Sequence, residues 1–432
     1  MNQTKLKKYS RSVSIIGVGC TPFMRVLDDP EREGLTEGEL FGYAALDAMK
    51  DAGVSPKDVD YYFHGQANPY NSSDYITPNM QVANWFGMKG KGSVHHSEAC
   101  CTGYQALELA VMAVASGKYD IVLSGAVEMG DTVYVEGKPA HYRRKLTMED
   151  FNSSLATIYD RAYTRSLQAG MSTIFDDVAV KYAKDHGLSP EQMDDVLCQM
   201  AINNRRNAQV NPKALLRKSF DELAKEYGLD DAKAFMKSHF NPKVGDYMRT
   251  TGLEERADGA AAVIVCPTEM AYKYCDNPIE ILGTGNSTLE SSSPHVEWNA
   301  TTEAVRQVYE LTGVKPEELD LFYANDFIIS SHLVAAEIAG YLPEDGWKYA
   351  LEGRTAYDGD KPINTNGGRT SFGHAHAASG MADVYEAVQQ MRGLCGERQV
   401  KKMPKTVMLR GFGGAQNVTA TILRTVKKEE IQ

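Results

Sequence analysis

AALDAMKDAGVSPKDVDYYF (residues 44–63) and AVRQVYELTGVKPEELDLFY (residues 304–323) are the stretches whose comparison decides the fold. Ala44, Gly53, Val54, Pro56 and Asp60 recur, at one constant offset, as Ala304, Gly313, Val314, Pro316 and Asp320. Each copy reads as an amphipathic helix, a glycine stop, an x-Pro turn and an apolar strand. Any helix–turn–strand unit shares that outline, but identities held in one register favour a duplicated chain.

The echo continues outward. KYDIVLSGAVEMG (118–130) and KTVMLRGFGGAQN (405–417) are apolar strands ending in glycine. Each follows a helix that begins at a small-residue turn, CCTGYQALELAVMAVASG (100–117) and AASGMADVYEAVQQMRG (377–393). Strand–helix–strand–helix with apolar strands is an α/β layer architecture. Between the halves, a polar helical stretch containing RRNAQVNPKALLRKSFDELAKEYG (205–228) reads as an inserted subdomain. We therefore expect a first half at 10–129, an insertion at 130–255, the last strands of the first half at 256–278, and a second half at 279–428.

The 432 residues exceed what one hydrophobic core usually serves, in keeping with two halves. A net charge of −11 argues against a nucleic-acid partner and against an anionic membrane surface. No apolar run approaches the ~18 residues of a membrane span. The start, MNQTKLKKYSRSVSIIGVGC, reads as a basic tail leading into the first strand. Seven cysteines, an odd number without CxxC pairing, point to a reduced cytoplasmic protein with no structural zinc and no metal in this chain.

HHSEACCTGYQA (95–106) places two cysteines where a helix begins. Free N–H groups and the helix dipole there stabilise a thiolate or an oxyanion. A buried, inert cysteine is the competing reading. A thiol nucleophile needs a base, and NTNGGRTSFGHAHAASG (364–380) carries His374 and His376 at the second helix start. A pseudo-twofold between the halves would bring the two helix starts to one interface.

These segments resemble the thiolase superfamily, in the sterol-carrier-protein-type and archaeal branch. VSIIGVGCTPF (13–23), CCTG (100–103), SGAVEMG (124–130), NRRNAQVNP (204–212), ADGAAAVIV (257–265), GGRTSFGHAHAASG (367–380) and GFGGA (411–415) fit its motifs in order, over nearly the whole chain. The resemblance implies a duplicated five-layer α/β/α/β/α thiolase fold, with a mostly helical loop domain inserted in the first half. It implies a dimer that binds Coenzyme A as substrate and cleaves or forms 3-ketoacyl-CoA. By the cysteine–x–Ser/Thr–Gly motif Cys100 would be the nucleophile. His374 would bind the thioester oxygen with a water held by Asn325, and the N–H groups of Cys100 and Gly413 would form a second oxyanion site.

The departures are specific. The family's second cysteine falls on Gly411 in one branch and in the segment Asn325–Asp326–Phe327–Ile328 in the other, and Gly-His-Pro has become Gly-His-Ala at Ala375. The substitutes are His376 first, then Asp326, His332 or Cys101. The length and the missing cysteine resemble the large subunits of benzoylsuccinyl-CoA thiolases of anaerobic toluene degradation. Such proteins pair with a small OB-fold, zinc-ribbon subunit, giving a heterotetramer. Arg369 and Arg410, where the family has small or apolar residues, would then meet a substrate carboxylate, with pairing inside the protein to Asp326 or Glu98 as the competing reading. In the basic run Arg205, Arg206, Lys213, Arg217 and Lys218, a solvated face competes with contact to the CoA phosphates, for which Arg205, Arg206 and Lys213 are the candidates. A condensing synthase, a retro-aldol lyase, a general acetyl-CoA acetyltransferase and a non-catalytic CoA-binding subunit are the alternative functions.

Overall fold

The computed structural model describes residues 5–67, 77–135, 137–138, 142–147, 150, 171–288, 296–414 and 417–430. Its strands are β1 Val13–Cys20, β2 Tyr61–Gly65, β3 Gly92–His96, β4 Val122–Met129, β5 Thr132–Tyr134, β6 Arg143–Lys145, β7 Asp258–Pro267, β8 Ile279–Thr288, β9 Leu321–Ala324, β10 Thr406–Gly413 and β11 Asn417–Thr425.

The main ladder runs β3-β2-β4-β7-β1-β8-β11-β10-β9. Counted within each half from its own first strand, the first half reads 3-2-4-5-1 and the second, from the opposite edge, 2-3-4-1, which becomes 2-4-5-1 when the third position is left vacant. The halves are thus two copies of one topology. The missing third strand of the second copy survives as a single parallel bridge, Phe322 to Ile363, where the first copy pairs β2 with β3 in parallel. The two half-sheets join through β1 and β8 at Ser14–Glu280 and Ile15–Ile279 only.

Three apolar clusters separate the layers. One packs helix Glu37–Asp51 on the outer face of the first half-sheet, with Ile16, Leu40, Phe41 and Ile264 at its centre. A second gathers the outer face of the second half-sheet with the inserted helices. The third lies between the half-sheets, around helices Thr102–Ala115 and His376–Met391. Outer helix, sheet, central helices, sheet and outer helix make the five layers.

The two central helices touch at nearly backbone distance because small residues face each other. A Cβ on Gly103 would lie 2.5 Å from the Met381 nitrogen, and one on Gly380 would lie 2.7 Å from the Tyr104 ring. Each helix follows the third-strand position of its half, so the duplication delivers both helix starts to one place. Between β4 and β7 the chain passes through the β5–β6 hairpin and helices Met171–His186, Pro190–Gln209, Phe220–Glu226 and Ala232–Lys237. Residues 139–141 and 151–170 of the expected insertion lie outside the described residues.

Candidate active site

Cys100 precedes the first turn of its helix, and Ala99 before it has φ 48°, in the left-handed region that a side chain rarely adopts. The turn is pinned locally. The Glu98 N–H donates to Thr102 Oγ1 at 2.8 Å, and that hydroxyl donates to the Ala99 carbonyl at 2.6 Å. The adjacent cysteines separate cleanly: Cys100 is partly exposed, whereas Cys101 is buried and its Sγ donates to the Asn417 carbonyl at 3.1 Å.

His374 Nε2 lies 3.2 Å from Cys100 Sγ, and His374 Nδ1 lies 3.0 Å from Ser379 Oγ. Burial, with the Arg369 charge acting in the same direction, holds the imidazole well below its ordinary pKa, so His374 is neutral. In the tautomer whose Nδ1–H donates to Ser379 Oγ, Nε2 carries the lone pair that can receive the thiol proton. The helix start does not by itself produce a thiolate. Burial pushes the Cys100 thiol above its ordinary value. Ionisation at this cysteine therefore needs the base beside it.

Glu254, which the sequence does not single out, completes the cluster. Its Oε2 lies 3.2 Å from His374 Nε2 and its Oε1 lies 4.0 Å from His376 Nε2. The backbone fixes it there. Leu253 bridges Ile328, the Glu254 N–H donates to the Phe327 carbonyl at 3.0 Å, and the His374 N–H donates to the Glu255 carbonyl at 2.6 Å. The ligand atoms of Glu254, His374 and His376 fall within 4.8 Å of one another. An ion held there would take the Nε2 lone pair that the Cys100 thiol needs, so we read the trio as a proton-handling set.

Other expected residues lie elsewhere or are committed otherwise. The Asn325 amide donates to the Phe412 carbonyl at 2.7 Å and accepts from the Phe327 N–H at 3.2 Å, which fixes it to the glycine loop. Gly413 packs against this turn, its notional Cβ 3.0 Å from the Glu98 carbonyl. Ala415, further along this loop, lies outside the described residues. Asp326 is an ionised structural carboxylate. It accepts from the Arg369 N–H and from Asn204, both at 2.7 Å. Burial pushes it up, but His332 and Arg369 outweigh that and hold it below its ordinary value.

The arginine expectations are corrected by packing. Arg369 is fully buried in a bidentate pair with Asp383 at 2.9 and 2.7 Å, and Arg410 is fully buried against Glu297, Thr301 and Ser331. A protein carboxylate meets each charge, so neither needs one from a substrate. Arg205 is likewise turned inward. It donates to Ser371 Oγ at 3.0 Å and the Lys218 carbonyl at 2.9 Å, lies over the Phe220 ring, and burial lowers it to about 10. Lys213 donates to the Cys20 carbonyl, and Arg206, half exposed, pairs with Asp358 at 2.8 Å. Of the three CoA candidates Arg205 is buried, whereas Arg206 and Lys213 are partly exposed.

Two family patterns match the chain: Thiolase, N-terminal domain, over residues 13–221, and Thiolase C-terminal domain-like, over residues 284–425. The chain belongs to the thiolase superfamily. Its family and relatives make it an enzyme of acyl transfer. It is 29% identical to an acetyl-CoA acetyltransferase of Methanothermobacter thermautotrophicus, over 94% of this chain and 98% of that protein. It is 27% identical to the benzoylsuccinyl-CoA thiolase subunit BbsB of Thauera aromatica, over 94% and 96%. Among solved structures, the Ltp2-ChsH2(DUF35) aldolase shares the fold with a TM-score of 0.74 at 19% identity, covering 97% of this chain and 99% of that one. Among the described residues, no helix is long and apolar enough to cross a membrane.

Proposed function

We propose that this thiolase-superfamily chain cleaves a 3-ketoacyl-CoA with Coenzyme A through an acyl group carried on Cys100. The observation that carries the reading is the 3.2 Å contact between Cys100 Sγ and His374 Nε2, made where the two duplicated helix starts meet. His374 takes the thiol proton, Sγ attacks the keto carbon, and backbone N–H groups of the glycine loop stabilise the oxyanion. A lyase that makes no acyl-enzyme has no use for a thiol paired with a base, so acyl transfer is preferred over a retro-aldol reaction.

The finer assignment, 2-benzoylsuccinyl-CoA to benzoyl-CoA and succinyl-CoA, draws support from the similarity to BbsB. It loses the support expected of Arg369 and Arg410, whose charges are met inside the protein. We therefore propose a plain 3-ketoacyl-CoA substrate. The proposed assembly is a homodimer joined by a small OB-fold, zinc-ribbon subunit. The name of BbsB as a subunit and the two-protein composition of the aldolase neighbour favour it. Seven free thiols suit a reducing cytoplasm.

The test is intact-mass spectrometry after incubation with acyl-CoA. We expect acylation at Cys100 in the wild type, none in Cys100→Ser, and acylation retained in Cys101→Ala. Thiolysis at the wild-type rate in Cys100→Ser would refute the reading.

A further inference from the structure

A thiolase must move two protons: one from its nucleophile and one between the α-carbon and the incoming CoA thiol. His374 handles the first, and both slots for the second cysteine hold other residues, Gly411 and the segment 325–328. We propose that Glu254 carries the second proton, an inference that rests on the acyl-cysteine reading above.

The side of the imidazole that Glu254 occupies is the first argument. A carboxylate that only orients a catalytic histidine bonds the nitrogen facing away from the nucleophile. Here that nitrogen, Nδ1, bonds Ser379, and Glu254 lies 3.2 Å from Nε2, the same atom that faces Cys100 at 3.2 Å. The carboxyl thus stands on the reacting side. Proton accounting is the second argument. An ionised Glu254 would set its negative charge against the Nε2 lone pair that the Cys100 thiol approaches, whereas a protonated carboxyl sets no charge there and keeps its proton to give. Burial supports that state by raising Glu254 to about 8, despite Arg256 and Arg369. A carboxyl poised near neutrality can both give and take a proton.

Cys101 and Asp326 are committed, and His332 packs on Asp326 with neither ring nitrogen hydrogen-bonded. Cys101 Sγ is bonded to the Asn417 carbonyl, and Asp326 is held ionised by its partners. His332 lies 3.7 Å from Asp326 Oδ2. His376 is lowered to about 4 by burial, then by Arg256, which leaves it neutral and without a proton to give at neutral pH. Its place 4.0 Å from Glu254 Oε1 makes it a neighbour that shapes the carboxyl's setting.

The steps balance. Cys100 gives its proton to His374 Nε2 and its sulfur attacks C3 of the 3-ketoacyl-CoA. The C2–C3 bond breaks with its electron pair on C2, and Glu254 gives its proton to C2, releasing the first acyl-CoA. The Glu254 carboxylate then takes the proton of the incoming CoA thiol, whose sulfur attacks the acyl-cysteine. The C–S bond to Cys100 breaks and the leaving thiolate regains its proton from His374.

The experiment isolates the second half-reaction in the full chain, with any subunit that co-purifies. Cys100 is acetylated with p-nitrophenyl acetate, whose phenolate departs without needing a proton, and CoA-dependent deacetylation is followed by intact mass. In Glu254→Gln we expect acetylation within about threefold of wild type and deacetylation at pH 7 slowed roughly 10²–10⁴-fold. The deficit should shrink steeply toward pH 10, where solution already supplies the CoA thiolate, thiols ionising near ~8.5. Deacetylation by Glu254→Gln within about threefold of wild type at pH 7 overturns the proposal. So does a deficit that stays constant with pH, the mark of a structural role, or a loss confined to His376→Ala. Failure of wild-type Cys100 to be acetylated at all would instead sink the acyl-cysteine reading, so the two failures are distinguishable.

Discussion

The Cys100 thiol lies 3.2 Å from an imidazole lone pair, while the neighbouring Cys101 thiol donates to a main-chain carbonyl inside the core. One peptide unit of displacement around a helix start produces that difference, and the spacing to Thr102 and Gly103 makes it readable from sequence. Arg369 is the opposite case. Its buried guanidinium is paired with Asp383, fourteen positions on, which also accepts from the Asn366 amide and from Tyr104. Removing one partner of a buried ion pair leaves an uncompensated charge. We expect Asp383→Asn to lower stability by about 3–5 kcal/mol, read as a fall in the urea midpoint. A midpoint shift under about 1 kcal/mol would mean that the pair is hydrated and that Arg369 is available to a ligand after all. The sequence displays an arginine near a reactive histidine but not the aspartate facing it, because that partner is set by how the helix His376–Met391 packs over the Gly367–Gly368 turn.

At the scale of elements, the site depends on how closely helices Thr102–Ala115 and His376–Met391 approach. A Cβ at Gly103 would sit 2.5 Å from the Met381 nitrogen and 2.6 Å from the Ala377 oxygen, backbone atoms that cannot swing aside. Gly103→Ala should therefore part the helices, at a cost of about 1–3 kcal/mol. It should also slow acylation of Cys100, since both reacting groups stand at these helix starts. Gly34→Ala, with nothing within 4 Å of the added carbon, is the control and should stay within about 0.5 kcal/mol. Unchanged stability and acylation in Gly103→Ala would show the interface to be looser than its geometry. The internal echo made the duplication legible because helix, turn and strand are local patterns. The reduction of the second copy's third strand to one bridge, Phe322–Ile363, has no local signature. Glu254 was hidden for the same reason. TGLEERADGA reads as a polar loop, and only pairing of Leu253 with Ile328 and of Arg256 with His374 carries its carboxyl to the site. The available signal was a run of three charges set directly before a buried strand.

Across the whole molecule, buried titratable groups fix how stability follows pH. Burial raises Glu254 to about 8, and Asp258 and Glu337 each to about 7. Unfolded, these carboxyls titrate near ~4. Between those values the folded chain holds protons that the unfolded chain has lost, so stability rises as pH falls through that window. Buried histidines act in the other direction. Burial lowers His64 to about 3, and His96 and His376 each to about 4, against ~6.5 unfolded. Their stabilisation is complete above ~6.5 and is lost as pH falls below it, when only the unfolded chain takes up their protons. We therefore expect the urea midpoint to climb as pH drops from about 8.5 to about 6.5 and then to level off, where the two sets oppose. Each group contributes at most about 1.4 kcal/mol per pH unit. Glu254→Gln should make the climb shallower, because the highest-lying of these carboxyls is gone. A midpoint that instead falls as pH drops from 8.5 to 6.5 would mean that Glu254 and Asp258 are ionised in the folded protein, and the proton assigned to Glu254 would not be there to give.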